Sequence, residues 1–122
     1  MYIKTLSFSQ QEISEISDLL KVISEPKRLL LLDQIISGVH CNCDLGKSLN
    51  IAPNLISHHL GVLRNAGLVT VDRDPTDSRW VYYSINTKAL ENIKQILASF
   101  FNPDRIQPRR ITCGPQIALD QQ

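Results

Sequence analysis

The fold of this chain is decided by residues 44–67, which read DLGKSLNIAPNLISHHLGVLRNAG. Apolar residues recur here at spacings that bury one face of two short helices around a tight turn: Leu45, Leu49, Ile51, Ile56, Leu60 and Leu63. We predict a helix-turn-helix whose second helix reads DNA. Cys41 and Cys43 stand directly in front of it, so two soft thiol ligands lie beside a predicted DNA-reading element. This arrangement indicates a sensor.

Two amphipathic helices are predicted before this motif. Between Ser9 and Ser24, apolar residues recur every three or four positions. A second apolar run starts at Pro26, which is well tolerated in a first helical turn, and ends at Gly38. We expect this second helix to be the centre of the core.

A β-hairpin wing and a last helix are predicted after the motif. Residues 68–71 and 80–85 are β-prone runs separated by a polar loop from Asp72 to Arg79. An apolar stripe then begins after Thr87 and continues toward Pro103. The fold class is therefore mainly α with a β-hairpin wing, a winged helix-turn-helix.

The predicted domain covers residues 1–102, and residues 103–122 form an irregular tail rich in proline and glycine. The first and last helices both carry apolar stripes that require a partner surface. Because helix-turn-helix proteins commonly read two-fold operators as dimers, these stripes are candidates for a homodimer interface. The alternative is that both stripes fold back onto their own domain.

Composition restricts the function classes. A net charge of +1 over 122 residues gives no general basicity, so any DNA-binding surface must be local. No apolar stretch approaches the roughly 18–20 residues of a membrane span, and the N-terminus lacks a signal-peptide layout. We expect a cytoplasmic protein with no membrane contact, in which closely spaced cysteines bind metal or respond to redox change rather than form a structural disulfide.

The predicted reader helix offers several polar side chains to DNA. Asn54, Ser57 and His58 occupy exposed positions from which they can reach bases or phosphates, and Asn54 could pair with adenine. On spacing alone, His59 and Arg64 are better placed to meet the DNA backbone. A solvated polar helix face is the alternative interpretation.

Two arginines flank the predicted tip of the wing. Arg73 and Arg79 can enter a minor groove or contact a phosphate. The alternative is a charged hairpin that is simply solvated.

The cysteines suit a thiophilic ion. Thiolates favour As(III), Sb(III), Cd or Pb, and such ions usually take three or four ligands, so Cys41 and Cys43 need a third. Residues two apart point about 200° from each other on a helix, so both thiols can face one ion only if the chain is extended or unwound there. Binding should then reshape the start of the motif's first helix. A position near a helix N-terminus would also favour the thiolate form of the two cysteines. The adjacent His40 is either a nitrogen ligand of the ion or a solvated loop residue.

Residues 41–45, CNCDL, and 56–69, ISHHLGVLRNAGLV, resemble the ArsR/SmtB family of metal-responsive transcriptional repressors. The resemblance covers about residues 12–100 and implies a homodimeric winged-helix repressor that leaves its double-stranded operator DNA when a toxic metal ion binds. Carried over by position, Asn54, Ser57, His58 and His59 fall in the recognition helix, and Cys41 and Cys43 fall on the metal-binding Cys-x-Cys.

The sequence departs from the family pattern around the metal site. Arsenic-responsive members often have a further cysteine where this chain has Gly46. Cadmium- and lead-responsive members supply extra thiols from an N-terminal arm, and this chain has no cysteine before Cys41. Some members complete a three-thiolate site with a C-terminal cysteine, which makes Cys113 the candidate third ligand. The family's zinc site on the last helix needs Asp and His, and residues 87–101 contain neither.

We therefore expect a repressor with As(III) as inducer and no organic cofactor. Sb(III), Cd or Pb as the ion, and a thiol-redox repressor in which Cys41 or Cys43 is oxidised, are alternatives. A small thiol enzyme is disfavoured because no glycine-rich anion loop surrounds a cysteine. A plain architectural DNA-binding protein is disfavoured by the cysteine placement.

Overall fold

The computed structural model describes residues 7–110 and Gly114. Four α-helices and one β-hairpin follow in the order α1 (Gln10–Ile23), α2 (Pro26–Ile36), α3 (Pro53–Asn65), β1 (Val69–Arg73), β2 (Val81–Ile85) and α4 (Thr87–Phe100). Two short 3-10 turns cover Lys47–Leu49 and Pro103–Arg105. The predicted winged helix-turn-helix class is confirmed. No helix in this described part of the chain is long and apolar enough to cross a membrane.

Side-chain capping explains where α1, α2 and α4 begin. Ser9 and Glu12 form a reciprocal capping box, in which the Glu12 amide donates to Ser9 Oγ and the Ser9 amide donates to a Glu12 carboxylate oxygen. In α2, Pro26 occupies the first turn and the Glu25 carboxylate accepts from the Lys27 amide. Asn86 caps α4 by accepting from the Ala89 amide. Most of the predicted element boundaries therefore hold to within two residues.

The core is built around α2, as expected. The buried cluster combines three α2 side chains with five from the following elements: Leu31, Leu32, Ile35, Leu45, Leu60, Leu63, Leu68 and Val69. Burying each such side chain stabilises the fold by about 1.5–3 kcal/mol. Reader helix α3 and strand β1 are thereby anchored to one apolar centre.

The prediction of a regular first helix in the helix-turn-helix was wrong. After Cys41, whose carbonyl accepts from the amides of Asp44 and Leu45, the chain makes a single helical turn and then a 3-10 turn. Gly46 interrupts the helix with a left-handed φ of +78°, and Asn50 adopts a left-handed φ of 57° at the other end. The motif therefore contains one full helix, α3, preceded by a compact turn segment.

The hairpin carries a third extended segment on its β2 edge. β1 and β2 pair antiparallel, with Val71 opposite Tyr83 and Arg73 opposite Val81. On the other side of β2, Cys41 forms an isolated antiparallel bridge with Tyr82. The cysteine segment is therefore attached directly to the wing.

Candidate DNA-binding face and thiol site

Reader helix α3 is oriented by its buried side. Leu60 and Leu63 lie in the core, whereas Asn54, Ser57 and His58 are exposed. Because these three residues lie in the N-terminal half of the helix, they occupy the part that usually meets base edges in the major groove. The exposure predicted for them is confirmed.

His59 does not lie on this exposed face. Its side chain is 7% exposed, and its Nδ1 lies 3.0 Å from Nη1 of Arg28 in α2. The expectation that His59 meets the DNA backbone is therefore wrong, because its position on α3 directs it toward the neighbouring helix. Arg64, farther along α3, is exposed.

Both wing arginines are engaged within the hairpin. Arg73 Nη1 donates to the Ser78 carbonyl at 2.7 Å. Arg79 forms a two-pronged contact with Asp77, with Nε to Oδ1 at 3.0 Å and Nη2 to Oδ2 at 2.7 Å. This contact holds the pKa of the Asp77 carboxyl below its usual value. The Arg79 side chain is 86% exposed, so its attraction to Asp77 is weakened by water and a phosphate can compete for it.

A groove of about 260 Å³ separates α3 from the wing. Its lining includes Ser57 and Arg64 from α3, Arg73 from the wing, and Asn42 from between the two cysteines. Two guanidinium groups and a hydroxyl are suitable partners for a phosphate backbone. The thiol segment, residues 40–50, therefore borders the groove between α3 and the wing.

The two cysteines converge on one point. Their sulfur atoms lie 2.7 Å apart, and both residues are free thiols. The chain is extended at Cys41, where it bridges to β2, and turns at Cys43. Of the two backbone conditions that allow both thiols to face one ion, the extended chain is the one observed.

A carboxylate that the sequence analysis missed lies beside the thiols. One ligand atom each from Cys41, Cys43 and Asp44 lies within 4.8 Å of the other two. Asp44 follows Cys43 directly in the sequence, and that adjacency was the available signal. His40 instead places Nδ1 3.0 Å from the Gly38 carbonyl, outside this cluster. Cys113 lies outside the described residues.

Cys43 is not held in the thiolate form. The hydrogen bond with Cys41, followed by desolvation and the negative charge of Asp44, raises the pKa of Cys43 to about 11. The expectation of a helix N-terminus that favours thiolate was therefore wrong. No α-helix begins at this segment, and the nearest charge is a carboxylate.

Backbone hydrogen bonds connect the thiol segment to the wing. The Tyr83 amide donates to the His40 carbonyl at 2.8 Å, and the Asn42 amide donates to the Val81 carbonyl at 2.9 Å. The Val81 amide in turn lies 3.3 Å from Asn42 Oδ1. The backbone at and beside the cysteines is therefore hydrogen bonded directly to β2.

Comparison with known proteins identifies the family to which this fold belongs. The model of the arsR family of bacterial regulatory proteins matches residues 25–71. The transcriptional repressor SdpR of Bacillus subtilis is 31% identical over 86 residues, covering 70% of this chain and 92% of SdpR. The arsenical resistance operon repressor of Staphylococcus xylosus is 35% identical over 83 residues, covering 68% of this chain and 77% of that repressor.

A solved structure supports the same assignment. NolR from Sinorhizobium fredii matches with a TM-score of 0.57 and 27% identity, over 78% of this chain and 95% of NolR. The fold is that of a winged-helix DNA-binding regulator, not of an enzyme. This chain belongs to the ArsR family and is a transcriptional repressor of that family.

Proposed function

We propose that the protein binds operator DNA as a homodimer through α3 and the wing. Asn54, Ser57 and His58 would contact base edges, while Arg64, Arg73 and Arg79 would contact phosphates. The exposed N-terminal half of α3 and the groove beside it support this assignment.

Two apolar helix faces support the homodimer. Ile13 and Leu20 of α1 are 41% and 37% exposed, and Phe100 of α4 joins them around a groove of about 310 Å³. The part of α4 that the structure describes contains no fully buried residue. A second copy packed on α1 and α4 would remove this apolar surface from water.

We propose that a soft ion bound at Cys41 and Cys43 releases the repressor, with As(III) as the inducer. The 2.7 Å separation of the two sulfur atoms carries this proposal, because both thiols already face one position. The S. xylosus relative is named as a repressor of an arsenical resistance operon, which favours arsenic over other thiophilic ions. Each As–S bond would replace an As–OH bond of arsenous acid, with the thiol proton leaving in water. A bare Cd or Pb ion would instead release the thiol protons, so the high pKa of Cys43 makes affinity for Cd or Pb rise with pH.

The third ligand distinguishes between ions. Three thiolates would suit As(III) or Sb(III), and Cys113 is the remaining cysteine of the chain. The Asp44 carboxylate, already beside the thiols, is a harder oxygen ligand and would suit Cd or Pb better. We propose Cys113 as the third ligand for As(III), and Asp44 as the alternative third ligand, for Cd or Pb.

We propose that the wing transmits the signal. Asn42 lies between the two ligands and is hydrogen bonded to Val81 through both its backbone and its side chain. Val81 pairs with Arg73, which lines the DNA-facing groove. An ion bonded to both thiols would move their sulfur atoms farther apart than 2.7 Å, and would therefore shift β2 and weaken the fit of the wing to the duplex.

Arsenite titration of the DNA complex tests this function. The probe is a duplex selected by the wild-type protein from a random-sequence pool, and fluorescence anisotropy reports release. Replacing Cys41 and Cys43 with serine should leave DNA affinity within about twofold and abolish release, because the reader helix keeps its residues while the switch loses its ligands. Release that persists in the double variant would refute the thiol site.

Two further variants identify the third ligand. Cys113→Ser should weaken release by arsenite, whereas Asp44→Asn should weaken release by cadmium more than by arsenite. Native mass spectrometry with each ion then reports the bound metals and the number of subunits together. A monomer that binds the selected duplex fully would argue against the homodimer.

The same sulfur geometry favours a second candidate, a thiol-redox repressor. Two thiols 2.7 Å apart can be oxidised by one hydrogen peroxide to a disulfide, with two waters as the other products. Peroxide-driven release in metal-free buffer, reversed by dithiothreitol, would favour this candidate. Release by arsenite under reducing conditions would favour the metal sensor.

A further inference from the structure

Arg28 joins three helices on the inner side of the reader helix. Its Nε donates to the Val22 carbonyl at 2.5 Å, and its Nη2 donates to the Lys21 carbonyl at 3.3 Å, both in the last turn of α1. Its Nη1 lies 3.0 Å from His59 Nδ1 in α3. Since Arg28 itself belongs to α2, one guanidinium group connects α1, α2 and α3.

The chemistry of each contact fits this bridging role. Carbonyls in the last turn of a helix lack partners within the helix, and they attract a cation because they form the negative end of the helix dipole. Arginine has five donors and no acceptor, so His59 Nδ1 must accept, which requires a neutral ring protonated on Nε2. The contact with His59 therefore depends on the protonation state of the imidazole.

The surroundings of His59 keep it neutral near pH 7. Burial lowers the pKa of His59 below its usual value; the Glu25 carboxylate acts in the opposite direction, and the charges of Arg28, His58 and Lys27 lower it further. Protonation at acid pH would place an N–H against the Arg28 guanidinium and break the contact. Because the pKa is depressed, the contact is intact at neutral pH and is lost as pH falls through the folded-state pKa.

We propose that Arg28 and His59 are a positioning pair that sets the angle of the reader helix to α1, and so raises affinity for operator DNA without touching it. His58, the next residue along α3, faces outward on the DNA side, so the two neighbouring histidines have separate roles. α1 carries an apolar face assigned above to the homodimer. The pair therefore sets the spacing of the two reader helices, and this inference rests on the proposed dimeric DNA binding.

Two substitutions at His59 distinguish the hydrogen-bond acceptor of its side chain from the volume that the side chain fills. His59→Asn keeps an acceptor near the position of Nδ1 but does not titrate, whereas His59→Leu fills the space with no acceptor. Affinity is measured for the selected duplex and for a non-specific duplex, in the full-length protein, at about pH 7.5 and about pH 5. Circular dichroism melting confirms that each variant is folded.

The positioning role predicts a specific pattern. His59→Leu should bind the selected duplex about tenfold more weakly, with non-specific binding changed by less than about threefold, because phosphate contacts tolerate a rotated helix. His59→Asn should match the wild type at the higher pH and lose less affinity than the wild type at the lower pH. Both proteins keep His58 and His40, so the difference isolates His59.

Other outcomes would overturn the inference. A folded His59→Leu protein with wild-type affinity for the selected duplex would do so, as would an equal loss on both duplexes. If His59→Leu fails to fold, the double variant Arg28→Met/His59→Leu removes both polar partners together; weak operator binding in that folded protein supports the inference, and wild-type binding overturns it. A wild-type protein that selected no duplex would instead count against the proposed DNA binding itself.

Discussion

Reader helix α3 and the thiol segment before it, residues 40–50, differ in how they are held in place. α3 is a regular helix whose Leu60 and Leu63 are buried in the core. The thiol segment has no full helical element; a bridge to Tyr82 and hydrogen bonds to β2 hold it on the edge of the wing. In the function proposed above, α3 is the rigid reading element and the thiol segment is the adjustable ligand site, because irregular segments with few packed side chains rearrange at the lowest cost in free energy.

The largest expected effect comes from the rigid side of this comparison. Leu63 is fully buried, so Leu63→Ala should lower the free energy of unfolding by about 3 kcal/mol, because it leaves a cavity beneath α3. Urea unfolding followed by circular dichroism measures this loss. Leu55→Ala on the same helix is the control; its side chain is 37% exposed, and the expected loss is below about 1 kcal/mol. Equal losses would show that α3 is not held by its inner face.

Gly46 tests the junction between the two regions. An alanine Cβ there would lie 2.5 Å from Ile56 Cδ1 of α3, and the residue has a φ of +78°. Gly46→Ala should cost about 2 kcal/mol, from backbone strain and displacement of Ile56 together. Gly67→Ala is the matched control, because it has a φ of +80° with no atom within 4 Å of the added Cβ, and it should cost about 1 kcal/mol. Equal decreases in melting temperature for Gly46→Ala and Gly67→Ala would mean that the contact with Ile56 does not contribute to the loss of stability.

DNA-binding measurements compare the wing with reader helix α3. Arg79→Ala should weaken binding to all duplexes by about 1 kcal/mol and lower the salt slope by about one, because it would remove the proposed phosphate contact. Asn54→Ala should instead change the preference between operator variants, by about 1 kcal/mol at one base pair. Filter binding at several salt concentrations measures both. If neither substitution alters affinity, the proposed docking is wrong.

The smallest effect concerns the connection from the thiols to the wing. Asn42→Ala removes the side-chain acceptor for the Val81 amide but leaves the backbone bond, so it should reduce the coupling between arsenite and DNA by about 0.5–1 kcal/mol. The coupling free energy is obtained from the ratio of the arsenite affinities of the free and the DNA-bound protein. Asn42→Asp keeps an oxygen acceptor and should retain more of it. Coupling unchanged in Asn42→Ala would exclude this side chain from the pathway.

Local sequence patterns determined the helices and the hairpin. Apolar spacing defines the inner face of α3 through Leu60 and Leu63, and Pro26 marks the start of α2 as observed. These features depend on residues within a few positions of each other, so they can be recognised along the chain. The exposure of Asn54, Ser57 and His58 was predictable for the same reason.

Only the tertiary structure decided which groups come together across the chain. The position of His59 on α3 did not reveal Arg28, 31 residues earlier, as its partner, because that contact depends on how α2 crosses α3. Likewise, periodicity predicted a helix after Cys43, whereas the left-handed φ at Gly46 limits that stretch to short turns, and residues 40–42 are hydrogen bonded to β2 instead. Sequence alone placed two thiols two residues apart; in the folded chain, where Cys41 is paired with the wing strand, their sulfur atoms lie 2.7 Å apart. Long-range hydrogen bonds outweighed local helix preference there, since they satisfy backbone groups that an isolated short helix would leave exposed.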